Sequence, residues 1–153
     1  MTIGRNEKIR RLIALSESPD ARFWRVDYHQ LSAPERVFRA IWELEGEVNN
    51  GGLDQYFFNS SGSLVPDVVD ALKTIGAFRM AAILKDAIGL MPANVPWRDS
   101  TMRRDMLIAL PETTQDALDR LTRKFYDYPD DLTALLYAYV CDHGAEVGAT
   151  TYL

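Results

Sequence analysis

Apolar side chains recur along this chain at intervals of three and four, the spacing that gathers them on one face of a helix. Residues 5–16 begin the series, with Ile9, Leu12, Ile13 and Leu15 as the stripe and Arg5, Lys8, Arg10 and Arg11 outside it. Ser16-Glu-Ser-Pro-Asp20 breaks the pattern. Phe23-Trp24 and Val26-Asp-Tyr28 then read as an irregular link that packs its aromatics inward. The clearest helix start is Ser32-Ala-Pro-Glu35: a serine N-cap, a proline in the first turn and a glutamate at the capping-box position. This second helix runs to about Asn49, and Gly51 or Gly52 supplies a left-handed cap. A short helix over 53–59 follows, closed by Ser60-Ser-Gly62. Further helices are predicted over 67–75, 78–90, 100–110, 114–126 and 132–143, the last capped by Asp130 or Asp131. No segment alternates with a period of two. The pattern predicts an all-α protein, a single compact helical domain of six to eight helices over residues 1–153.

Helix geometry turns some polar residues inward. With Val37 at zero, Phe38, Ile41, Trp42, Leu44 and Val48 fill an arc from about −20° to 140°. Glu45 and Asn49 fall inside that arc and are four apart, so they can meet; Glu43 and Glu47 fall on the opposite, wet face. A carboxylate aimed at a core needs a partner or a proton. On the last helix His143 shares the arc of Leu135, Leu136, Tyr139 and Val140, which makes it a candidate partner for Glu45. Beyond the second helix, Asn50, Asp54, Gln55 and Asn59 can bond the backbone groups released at the Gly51-Gly52 break. Tyr56, Gln55 and Asn59 can equally line a small-ligand or peptide pocket.

Composition narrows the function. The chain has 153 residues, 47% apolar and 25% charged, with a net charge of −5. That charge is split: residues 1–104 hold 14 basic and 13 acidic side chains, residues 105–153 hold 3 and 9. The acidic C-terminal third favours a basic partner over direct nucleic-acid binding. The lone Cys141 excludes an intrachain disulfide and fits a reducing cytoplasm. No run is long and apolar enough for a membrane span, and residues 1–11 are too charged to lead a signal peptide. Cys141-Asp-His143 lacks metal-ligand geometry, Ser60 and Ser61 sit in no nucleophile elbow, and Gly51-Gly52 lacks the lysine of a phosphate loop. The reading is a cytoplasmic protein with no catalytic residues, no cofactor and no metal.

One segment carries a resemblance. Glu47-Val-Asn-Asn-Gly-Gly-Leu-Asp-Gln-Tyr-Phe-Phe-Asn59, then Ala71-Leu-x-x-Ile-Gly-Ala77, Phe125-Tyr-x-Tyr-x-Asp-Asp-Leu132 and Tyr139-Val-x-x-His143, resembles the bacterial DNA mimic protein family over about residues 33–145. The resemblance implies an all-helical, often self-associating domain without known catalytic residues, so a homodimer is one expected state. It also implies an acidic surface that occupies the DNA-binding face of a regulator. Asp127, Asp130 and Asp131, with Glu43 and Glu47 as a second pair, are the residues expected to face that partner. Two other readings stay open: an immunity protein against a cationic nuclease toxin, and a small-ligand binder or enzyme built on Glu45, Asn49, Gln55 and His143.

Overall fold

The helix signals are realised as seven α-helices, with no strand among the described residues, in a computed structural model that describes residues 2–148, 152 and 153. The helices are α1 (Arg5–Ser16), α2 (Ala33–Phe58), α3 (Val65–Thr74), α4 (Phe78–Gly89), α5 (Ser100–Ile108), α6 (Glu112–Tyr126) and α7 (Leu132–Asp142). Short 3-10 turns at Tyr28–Gln30 and Ser60–Leu64 precede α2 and α3. None of the helices is long and apolar enough to cross a membrane among the described residues. The chain gathers into two compact units, Met1–Arg39 with Asp131–Leu153, and Ala40–Asp130. The all-helical class is therefore as the periodicity predicts.

In the first unit α1 packs on α7, and Leu12, Leu15, Leu132, Leu136 and Val140 are buried. The stripe of α1 is narrower than its pattern predicts, because Ile13 is 40% exposed and Ser16 takes a buried place instead. Phe23 is fully buried and stacked on Phe38, ring centroids 4.5 Å apart. Trp24 departs from the expectation that both aromatics turn inward. It is half exposed, and its indole N–H donates to the Ser16 carbonyl at 2.8 Å, closing the end of α1. Asp131 caps α7 by accepting from the Ala134 N–H at 3.1 Å.

The start of α2 forms as a reciprocal capping box. The Glu35 N–H donates to Ser32 Oγ at 3.2 Å, and the Ser32 N–H donates to Glu35 Oε1 at 3.0 Å. Arg22 adds a second hold, Nη2 at 2.7 Å and Nε at 3.3 Å from the two carboxylate oxygens. Burial pushes the Glu35 carboxyl up, but the bonds from Arg22 and from both the backbone N–H and the hydroxyl of Ser32 outweigh it, so the group titrates below its ordinary value.

The second unit is built on α3 packed against α4 and α4 against α6. Leu44, Val48, Leu53, Phe57, Leu72, Met80, Leu84 and Phe125 are fully buried in it. Each such side chain contributes roughly 1.5–3 kcal/mol by leaving water. Asp130 belongs here. Its Oδ2 accepts from the Met80 N–H at 2.8 Å, so it supplies the N-terminus of α4 with an acceptor that Ala77, the N-cap residue, lacks.

Glu35 gives a pH-dependent prediction. A carboxylate with a lowered native pKa stabilises the fold above its unfolded pKa, and that contribution disappears as pH falls through the native value. Glu35→Gln is expected to cost about 1 kcal/mol at pH 7, a deficit that shrinks once pH drops below the ordinary value of 4.5. Denaturant melts at pH 7 and at pH 3 check it.

Candidate functional site at the break in α2

Residues 47–62 form a built corner inside the second unit. Gly52 sits at φ 87° and ψ −179°, backbone that only glycine adopts without strain, and it divides α2 into two helical halves. Gly51 serves a different need: a Cβ there would collide with the Gln55 amide, which lies over the backbone at that point. The backbone leaves helical geometry here, so groups beside the break need other partners.

Helix α6 and the residues after it supply them. The Leu53 N–H, first of the second half, donates to Thr122 Oγ1 at 3.1 Å in a buried bond. The Tyr126 hydroxyl donates to the Val48 carbonyl at 2.7 Å, at the end of the first half. Asn49 Nδ2 donates to the Tyr128 hydroxyl, also at 2.7 Å. Tyr128 reaches that position with φ +47°, a left-handed conformation that costs an ordinary residue about 1 kcal/mol or more.

Glu47 crosses the break. Its Oε2 accepts from Gln55 Nε2 at 2.9 Å and from Asn59 Nδ2 at 2.8 Å, tying the last turn of the first half to the whole of the second. The far end is closed from α5. Arg103, 1% exposed, donates through Nη2 to the Asn59 carbonyl at 2.9 Å and through Nη1 to the Trp97 carbonyl. Burial pushes the Arg103 guanidinium below its ordinary pKa, with the Arg104 charge adding to the effect. Arg104 Nε donates to the Phe58 carbonyl at 3.1 Å, and its guanidinium lies 5.2 Å over the Phe58 ring. Two cations thus meet the carbonyl end of the helix, where its dipole is negative.

Several sequence expectations change against this geometry. Glu47 is not a free acid on a wet face; it is half-buried and holds two amides. The side chains of Asp130 and Asp131 cap α4 and α7 respectively, so of the three clustered aspartates only Asp127, which caps α6 through its backbone N–H, keeps an exposed carboxylate with no cap role. Glu43 is half-buried. Glu45 is half-buried as well, with one carboxylate oxygen covered, which agrees with its inward direction. Asn49 is exposed, because it lies at the frayed end of the first half, yet its amide is engaged by Tyr128. His143 finds its carboxylate locally: Nδ1 lies 3.2 Å from Glu146 Oε1, and the ring packs on Tyr139 with centroids 4.4 Å apart. Tyr56 is fully buried, whereas Gln55 and Asn59 line a cleft of about 340 Å³ walled by α5 and α6; Asn50 is exposed. Sequence reasoning missed Thr122, Arg103 and Arg104 as parts of the corner. The signal for the tyrosines lay in the Phe125-Tyr-x-Tyr segment. No group of three or more His, Cys, Asp or Glu side chains among the described residues could hold a metal.

The described residues form an all-helical fold in which polar side chains gather at a glycine break in α2. A DMP19-like protein family model matches residues 29–143. The chain belongs to that family, that of DNA mimic proteins. No curated protein and no solved structure matches it.

Two substitutions test the corner. Gly52→Ala is expected to destabilise by about 2–3 kcal/mol in urea unfolding, since alanine must adopt a glycine-only conformation. Glu47→Leu and Gln55→Leu are each expected to cost about 1–2 kcal/mol, and together less than their sum by about 0.5 kcal/mol or more, because both remove one bond.

Proposed function

We propose that this chain is a non-enzymatic interaction protein that binds a basic protein partner, a DNA-binding regulator in the family's manner, through an acidic surface. Membership of the DNA mimic family supports the class of partner. The charge split supports the surface, with 9 acidic against 3 basic side chains in residues 105–153.

The observation that carries the reading is the outer face of α6. Glu112, Asp116 and Asp119 recur at intervals of four and three, so they form one row, and all three are exposed. The row places three charges over about 10 Å of helix axis, a mean spacing of roughly 5 Å, wider than the ~3.4 Å per charge of a single DNA strand. Arg123 continues the same line and ends the row after two turns, so what it imitates is a short stretch of one strand. Asp127, exposed just beyond α6, and Asp105, exposed on α5, extend the acidic character. Glu43, half-buried, adds to it only in part. Glu47, Asp130 and Asp131 act inside the fold, and the row on α6 replaces them as the partner-facing group. A homodimer and a cytoplasmic location fit this reading.

Affinity capture from the native host tests it. The tagged protein is expected to retain a basic partner at low salt and to release it at about 1 M salt, where the Debye length is roughly 3 Å. The triple variant Glu112→Gln, Asp116→Asn, Asp119→Asn is expected to weaken capture at least about tenfold, mainly through a slower on-rate. Capture that ignores ionic strength, or that survives the triple substitution, sinks the reading.

A further inference from the structure

The cleft beside the corner has a composition that selects one kind of guest. Its floor and far wall are apolar, formed by Phe57, Leu107, Leu110 and Leu118, and Ile108 stands at its rim 70% exposed. At about 340 Å³ it falls within the roughly 300–1,000 Å³ range of small-ligand sites. Gln115 on α6 is one of the polar groups that line it; the other three are Asp54, Gln55 and Asn59.

Those three side chains present acceptors. Glu47 draws the amide nitrogens of Gln55 and Asn59 toward itself, which fixes the orientation of both amides; Gln55 Oε1 lies against the Gly51 backbone, and the Asn59 side-chain oxygen is left as an acceptor for a guest. Asp54 is exposed and has no hydrogen-bonding or ion-pair partner among the described residues. No lysine or arginine lines the cleft. The neighbouring cations, Arg103 and Arg104, direct their N–H groups to the carbonyls of Trp97, Phe58 and Asn59. The site therefore combines apolar walls with acceptors and an unanswered negative charge.

We propose that this cleft receives an arginine side chain of the protein partner, its aliphatic stem on the Leu107–Leu118 side and its guanidinium on Asp54 and the Asn59 amide oxygen. The proposal rests on the partner being basic, as argued above, and adds a specific anchoring point to a surface that would otherwise act by charge alone. Arginine suits the site better than lysine. It offers five donors in a plane, holds its charge at every working pH and stacks on aromatic rings, as Arg104 already does on Phe58. A desolvated arginine in a pocket is also the kind of residue on which interface affinity concentrates.

The test is an NMR titration of the ¹⁵N-labelled full chain with the capped pentapeptide Ala-Ala-Arg-Ala-Ala, and with the same peptide carrying norleucine for arginine. Saturable shifts are expected at the amides of Gln55, Ile108, Leu110 and Gln115. The norleucine peptide is expected to bind about tenfold more weakly, the size of one charged hydrogen bond. Asp54→Asn is expected to lower arginine-peptide affinity by a similar factor. Asp127→Asn, the same charge change outside the cleft, should alter it less than about twofold, which separates a site from general attraction. Equal binding of the two peptides, an unaltered titration of Asp54→Asn, shifts confined to other residues, or no shifts at all would each overturn the proposal. Failure here is distinguishable from failure of the functional reading. Salt-sensitive capture that depends on the α6 row can persist when the cleft is silent, and a cleft that binds arginine says nothing of whether that row engages a partner.

Discussion

The corner of this fold is held by a carboxylate bridging a gap in a helix. A 26-residue helix that leaves helical geometry at one glycine needs fastening beside the break. Glu47 provides the fastening along the helix, through Gln55 and Asn59. Thr122, Tyr126 and Tyr128 provide it across to α6 and the residues beyond. Arg103 and Arg104 close the far end from α5. Helices α2, α5 and α6 thus meet at one place, through side chains acting on backbone.

This arrangement gives a physical meaning to the segment that marks the family. Asn49, Gly51, Gly52, Gln55 and Asn59 are there to make and fasten a break, and Phe125-Tyr-x-Tyr128 is there to receive it. The hydroxyls of Thr122 and Tyr126 hold backbone groups, and the amides of Asn49, Gln55 and Asn59 hold the Tyr128 hydroxyl and the Glu47 carboxylate, all at ordinary hydrogen-bond distance. The interior position of Arg103 is the exception. It meets carbonyls in place of a carboxylate, and the negative end of a helix supplies part of its compensation.

Much of the fold was legible because helix starts and stops are local events. Ser32 and Glu35 are three residues apart, and the diglycine announces its own break, so both could be read from neighbours in the chain. The roles of acidic residues were less legible, since a helical wheel assigns a face without knowing what later returns to it. Glu47 fell on the wet side of its wheel, but the turn at Gly52 brings Gln55 and Asn59 over that side. Asp130 looked like part of a surface cluster, and its partner is a backbone N–H fifty positions earlier. Arg103 carried no signal of burial at all, because charge predicts exposure. Long-range hydrogen bonds decided each of these cases.

Helix α6 faces two ways, and this has a mechanical consequence. Its outer side displays Glu112, Asp116 and Asp119, while its inner side holds the first N–H of the second half of α2 through Thr122 and contributes Leu118 to the cleft wall. A partner bound on the outer row would therefore rest on the same helix that secures the bend and walls the opening beside it.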